Sequence, residues 1–491
     1  MRFVFLPVNA SHSASRTIMH RFTASLLLLP TLLTSPVGAH AQSSATTAAA
    51  ARSFPSDSAV LAVIRQRVEE KRSAGIVVGL LEPDGRTRVV AYGDPGPGQP
   101  ALDGNSVFEI GSISKVFTAT ALAELVQQGK VKLTDPVQQY LPASVHVPTR
   151  NGKQITLGSL AEQNSGLPRL PSNFHPADPA DPYVDYGVPQ LYEFLSGYQL
   201  TRDPGAEFEY SNLGVGLLGH ALSLATGKSY EELERTLVWA PLGMDHTAIM
   251  LTPWMKSHLA VGHDEKGNVV PNWDLNVLVG AGGIRSTTND MLKFAAANVH
   301  PERGALQRAM AFAQQERAPA GSPQMRIGLN WMNLHVGADT IVWHNGGTGG
   351  YRSFIGLLPS RNMAVVILTN STGEGADDIG MHLLDPALPL VPKPAPAKQR
   401  TAITLPAATL ERYVGTYQLA PNFVIEVTAD GDALYGQPTG QQKFRLWPES
   451  ELDFFLKEVD AQVTFTRDAQ GKITGLVLHQ GGHDSPATKI K

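Results

Sequence analysis

The sequence predicts an α/β (α+β) protein in which antiparallel strands bracket a long helical region, followed by a separate small all-β domain. Three observations carry this. Strand patterns lie near both ends of the first 385 residues, with connections short enough to favour antiparallel pairing. The stretch between them has helical periodicity. A cluster of prolines, Pro386, Pro389, Pro392, Pro394 and Pro396, then gives way to short, evenly spaced strand patterns.

Taken in order, the first domain is expected over 57–385. Asp57 is read as the cap of a helix whose Val60, Ile64 and Val68 recur at helical spacing. Ile76 to Leu81 and Thr87 to Tyr92 read as two strands joined around the turn Pro83-Asp84-Gly85. Thr287 and Asp290 have capping-box spacing and open a later helix. Thr340 to His344, Tyr351 to Leu358 and Met363 to Asn370 read as three strands, and Asp377 to Leu384 as a closing helix. The linker is expected over 386–404 and a β-barrel or sandwich over 405–491. Its strands are read at Tyr413 to Leu419, Phe423 to Thr428, Ala433 to Gly436, Lys443 to Trp447, Asp453 to Lys457, Gln462 to Thr466 and Ile473 to His479.

Composition narrows the functional classes. Forty basic against forty-four acidic side chains leave a net charge of −4, which argues against a nucleic-acid partner. The absence of cysteine removes disulfides, thiolate metal sites and cysteine nucleophiles. Residues 1–41 read as a signal peptide: Leu26 to Leu33 is apolar, Arg21 precedes it, and Ala39-His40-Ala41 has the small-x-small form of a cleavage site. A disordered leader is expected over 42–56. The apolar run is too short to span a bilayer comfortably. The expectation is an exported protein, periplasmic or secreted, with no stable membrane anchor after cleavage.

Three segments bear chemistry. Ser112-Ile113-Ser114-Lys115 opens a helix, so Ser112 and Lys115 face the same side. A close lysine activates a serine hydroxyl by charge or, when deprotonated, as a base. By itself the string is weak, because a chain this long holds roughly two of them by chance. Taken alone, a capping serine with a solvated lysine explains it better. Tyr210-Ser211-Asn212 follows the Pro204-Gly205 turn and opens another helix. A tyrosine near two cations can accept a proton, though a half-buried aromatic before a cap pair has the same look. His344-Asn345-Gly346-Gly347 ends a strand, where glycines let a substrate approach the sheet edge or simply make a flexible hairpin.

The ordered set of three resembles the penicillin-recognising serine hydrolases, within them the class C β-lactamase and D-alanyl-D-alanine peptidase branch. Flanking text resembles that branch too: Phe108-Glu109-Ile110-Gly111, Leu133-Thr134-Asp135-Pro136, Asn164-Ser165-Gly166-Leu167-Pro168, Pro241-Leu242-Gly243-Met244 and Thr348-Gly349-Gly350-Tyr351. The resemblance covers about 57–384. It implies a β-lactamase/transpeptidase-like fold, an antiparallel sheet flanked by helices with a mostly helical second region. It implies Ser112 as nucleophile on an amide or ester carbonyl, with Lys115 and Tyr210 sharing the proton transfers. Asn212 and His344 would contact substrate, and the backbone N–H groups of Ser112 and Gly347, beside Gly346, would bind the oxyanion. No cofactor or metal is implied. The substrate would be a small molecule or peptide: a D-amino-acid peptide or a β-lactam. The segment around Tyr413-Val414-Gly415-Thr416-Tyr417 looks like the lipocalin-like β domain that accompanies some members.

One departure bears on substrate. Efficient class C β-lactamases usually carry lysine where this chain has His344. An unperturbed histidine near 6.5 is mostly neutral at pH 7 and gains charge only as pH falls toward 6. Arg352 is a candidate replacement for the missing cation. The same motifs would serve a carboxylesterase or a penicillin-binding sensor that acylates without turnover. No G-x-S-x-G elbow and no H-E-x-x-H helix occurs, which disfavours α/β-hydrolase and metallohydrolase chemistry.

Overall fold

The computed structural model describes residues 53–373, 376–393, 400–420, 423–439, 441–457, 459–480 and 483–491. The expected signal peptide and most of the expected leader lie outside them. The chain divides after Lys393 into two compact units.

The first unit is built on an eight-stranded sheet. From one edge its strands are Thr87–Gly93, Gly75–Leu81, Met363–Thr369, Arg352–Leu358, Asp339–Gly347, Met332–Val336, Ser322–Ile327 and Ala318–Ala320. Every neighbouring pair is antiparallel. The strands Gly75–Leu81 and Met363–Thr369 are buried along their whole length because both faces are covered. Ile76, Val78 and Leu80 pack with Val60 and Ile64 of helix Asp57–Glu69 and with Ile379 and Leu383 of helix Asp377–Leu384. Val77 and Leu81, on the opposite face by the twofold alternation of a strand, pack with Met291, Leu292 and Phe294 of helix Thr288–Asn298. Each such side chain contributes about 1.5–3 kcal/mol through removal from water, so the layers hold the sheet from both sides.

Behind that face lies the helical region. Helix Ser114–Gln127 runs through its middle and is buried on nearly every side from Ser114 to Ala123. Such a helix is apolar all round rather than along one stripe. Phe117 stacks on Phe294 with centroids 4.0 Å apart. Helix Asn212–Thr226 is capped by Ser211, whose Oγ accepts from Gly214 N at 2.8 Å, and stops at Gly227 in the left-handed conformation. Among the described residues no helix is long and apolar enough to cross a membrane.

Several expectations need correction. Ser56, not Asp57, caps the first helix, with its side chain accepting from Ala59 N. Phe54 is buried, so packed structure begins inside the segment expected as leader. The strands Ala318–Ala320, Ser322–Ile327 and Met332–Val336 were absent from the sequence reading. They are partly exposed, the first two carry proline, and they owe their strand form to backbone pairing toward the sheet edge. The expected linker begins too early as well. Leu388 and Leu390 pack on the first unit, and Asp378 accepts from Val391 N at 2.8 Å.

The second unit is a closed antiparallel barrel of eight strands, Gly415–Ala420, Phe423–Asp430, Ala433–Pro438, Phe444–Pro448, Asp453–Phe455, Ala461–Arg467, Ile473–Gln480 and His483–Lys489. Tyr413, Tyr417, Phe454 and Phe465 fill one part of its interior. The last strand, which carries Pro486, had no strand signature in the sequence. It closes the barrel by pairing Lys489 with Tyr417 and Thr488 with Gln418.

Candidate active site

Ser112 lies in a single 3₁₀ turn, Gly111–Ile113, that runs directly into helix Ser114–Gln127. Gly111 makes this possible. Its φ is +49°, and a Cβ there would stand 2.6 Å from Gly347 N. The Ser112 turn and the end of strand Asp339–Gly347 therefore meet backbone to backbone. Gly346 is equally tight, since a Cβ would meet Ile110 O at 2.0 Å and Ser353 Oγ at 2.3 Å. Ser353 Oγ in turn donates to Ile110 O at 2.7 Å, tying the next strand to the same turn.

Lys115 is fully buried one helical turn on from Ser112. Its Nζ donates to Ser112 Oγ at 3.0 Å, Asn212 Oδ1 at 2.9 Å and Ala281 O at 2.6 Å. Burial, and then the charge of Arg169, hold its pKa well below the ordinary lysine value. The Tyr210 side chain adjoins Ser112, and Lys115 Nζ lies 4.8 Å from the Tyr210 ring centroid. Burial pushes the Tyr210 pKa up to about 12, against the opposing pull of the Ser112 hydroxyl and the charge of Arg169.

A polar chain fastens these segments together. Asn330 Nδ2 donates to Lys115 O at 3.3 Å, and Gln163 Nε2 donates to Asn330 Oδ1 at 2.8 Å. Gln163 Oε1 accepts from Ser211 N at 2.6 Å, which fixes the residue between Tyr210 and Asn212. Gln163 and Asn330 are both buried with left-handed φ values of 56° and 57°. Non-glycine residues hold that conformation at a cost of order 1–3 kcal/mol, commonly near functional sites.

His344 is only 2% exposed, with its ring 6.1 Å from that of Tyr210. Its Nδ1 lies 2.6 Å from Asn345 O, an atom that can only accept, so Nδ1 carries the proton. Burial, and then the Lys115 charge, lower its pKa to about 3. The expectation that His344 gains charge toward pH 6 is therefore corrected: it stays neutral there. Arg352 does not supply a simple substitute. Its Nη1 donates to Thr348 O and Tyr351 O at 3.3 Å each, and its charge acts on Asp377.

The structure thus brings Ser112, Lys115, Tyr210 and Asn212 into one bonded cluster, with His344, Gly346 and Gly347 on the adjoining strand. Sequence reasoning missed three contributors. Arg169 directly follows Asn164-Ser165-Gly166-Leu167-Pro168, and that adjacency is its one sequence signal. Its Cζ is 5.1 Å from the Tyr210 centroid. Ala281 contributes only a backbone carbonyl, which no side-chain pattern reveals. Tyr183, whose hydroxyl lies 3.5 Å from Asn212 Nδ2, has no local signal.

An antiparallel sheet between helical layers, with serine, buried lysine and tyrosine at its junction with a helical region, defines a serine hydrolase of the β-lactamase/transpeptidase architecture. Comparison with known proteins agrees. The family model described as Beta-lactamase matches residues 60–386, and Domain of unknown function (DUF3471) matches residues 399–488. The chain is 32% identical over 312 residues to the D-alanyl-D-alanine-carboxypeptidase/endopeptidase AmpH of Escherichia coli, covering 60% of this chain and 79% of that protein. It is 29% identical over 347 residues to a Beta-lactamase of Pseudomonas fluorescens, covering 64% and 92%. Among solved structures it is similar to a Beta-lactamase/D-alanine Carboxypeptidase from Yersinia pestis, with a TM-score of 0.58 and 26% identity over 67% of this chain and 97% of that one. This chain belongs to the β-lactamase family.

Proposed function

We propose that the protein is exported and cleaves an amide or ester bond through an acyl-enzyme on Ser112, with D-amino-acid peptides or β-lactams as substrate class. The observation that carries this reading is the set of three acceptors around Lys115 Nζ. Asn212 Oδ1 and Ala281 O can only accept here, so a neutral Lys115 spends both N–H groups on them. Its lone pair is then left for the Ser112 hydroxyl. With its pKa depressed, Lys115 can be that neutral base. Tyr210, held protonated at neutral pH, relays a proton between Ser112 Oγ and the leaving group.

In the forward step Ser112 Oγ attacks the carbonyl carbon, its proton passes to Lys115, and negative charge collects on the carbonyl oxygen. The N–H groups of Ser112 and Gly347 are the proposed donors to that oxygen. Collapse expels the leaving group, which takes its proton by way of Tyr210. Water reverses the sequence to release the acid. Support from relatives is direct at the level of class: one is named as a peptidase of D-alanyl-D-alanine bonds and another as a β-lactamase. The carboxylesterase and non-turnover readings share the first half of this cycle and differ in acyl donor or deacylation. Intact mass after incubation with a panel of β-lactams, D-Ala-D-Ala peptides and short-chain esters tests the proposal. An adduct that forms on Ser112 and disappears supports it, and no adduct with any of them rejects it.

A further inference from the structure

We infer that Arg169 is a specificity-determining residue that binds a carboxylate of the substrate beside the Tyr210 ring. This rests on the Ser112 acyl-enzyme proposed above and names what the site selects.

Four observations converge on Arg169. Its side chain is exposed, and among the described residues it has no ion pair and no side-chain hydrogen bond; its described contact is the Tyr210 ring face at 5.1 Å. Its backbone is anything but loose. Arg169 O accepts from Asn212 N at 3.0 Å and from Leu213 N at 3.2 Å, so its backbone is fixed to the helix start that presents Asn212. Its charge reaches the reacting groups, since it acts on Lys115, Tyr210 and Tyr183.

The other cations nearby are committed. Lys115 is buried with three acceptors. Arg352 bonds two carbonyls at the strand end, and Arg285 is paired with Glu109 and Asp274. His344 is buried and uncharged. A guanidinium with its planar donors unspent is suited to the paired oxygens of a carboxylate. The ligand class is therefore an acyl donor carrying a carboxylate, on either its acyl part or its leaving group.

The test uses the full chain and two matched substrate pairs. One pair is an aryl ester of succinate and the same ester of butyrate. The other is an N-acetylated D-Ala-D-Ala peptide and its C-terminal amide. The quantity read is the ratio of kcat/KM, carboxylate over neutral, at one pH. Ser112 activation is common to both members of a pair, so the influence of Arg169 on Lys115 cancels.

Wild type should prefer the carboxylate in at least one pair, and Arg169→Gln should lower that ratio roughly tenfold or more. Arg169→Lys should fall between. Added salt should erode the wild-type ratio and leave that of Arg169→Gln unchanged. Turnover of the neutral ester by the variant reports that it is folded. An unchanged ratio in Arg169→Gln, or a collapse seen with Arg352→Gln instead, overturns the inference while leaving the Ser112 reading intact. A wild type that acylates with neither member of either pair overturns both.

Discussion

Lys115 stands where three acceptors converge, and in the proposed mechanism its protonation state governs the site at the residue scale. Because its pKa is depressed, the neutral base becomes available as pH rises through a value below the ordinary lysine range. The kcat/KM for a neutral ester should therefore climb with pH and level off earlier than an unperturbed lysine would allow. Replacing Lys115 with Met should lower kcat/KM by about 10²–10⁴ and flatten that limb. Ser112→Ala should abolish labelling by a serine-directed phosphonate, and persistent labelling at another serine would remove Ser112 from the mechanism. For His344 the sign is different. With its pKa near 3 the imidazole changes charge only far below working pH. His344→Gln should leave the shape of the pH–rate profile unaltered between pH 5 and 8. An inflection near 6 in wild type that vanishes in this variant would contradict the neutral assignment.

At the scale of elements, the site is a junction between the Ser112 turn and the end of strand Asp339–Gly347. Contact there is backbone against backbone, so it tolerates no side chain at Gly346. Gly346→Ala should separate the strand from the turn, and displacements near 1 Å commonly cost about a hundredfold in rate. A variant that stays folded by circular dichroism yet keeps wild-type kcat would show that the strand end does not position the reaction. The helix carrying Asn212 is held by Ser211 and Gln163, and the polar chain continues through Asn330 to Lys115. These links are scattered in sequence, and none forms a motif. The helices and strands themselves were legible where apolar residues run unbroken, as in Gly75–Leu81, or recur at helical spacing, as in Asp377–Leu384. They were illegible where pairing alone makes the strand, as in Ser322–Ile327 and His483–Lys489.

The whole molecule consists of two units with their own cores. A chain ending at Lys393, which keeps Leu388, Leu390 and the Val391–Asp378 bond, should fold and retain most ester hydrolysis. Folded but inactive protein would mean that the barrel completes the site. Stability of the first unit should depend on pH through Glu234, fully buried beside Tyr230, with its pKa raised to about 8 by desolvation. A carboxyl whose folded pKa is raised contributes most below its unfolded value, and that contribution is lost as pH rises from about 4.5 toward 8. Each unit of displacement corresponds to about 1.4 kcal/mol. Glu234→Gln should thus flatten the fall in Tm between pH 5 and 8, and an equally steep fall would place the loss elsewhere. The sequence by itself pointed to the family, to Ser112, Lys115 and Tyr210 as candidate site residues, and to a separate C-terminal β unit. Those depend on residue identity at short spacing, and on hydrophobic period. Tertiary structure alone decided the charge of His344, the exposure of Arg169, the carbonyl at Ala281 and the closure of the barrel. Each depends on burial or backbone pairing between segments far apart in the chain, and burial is a property of the fold, not of any local string of residues.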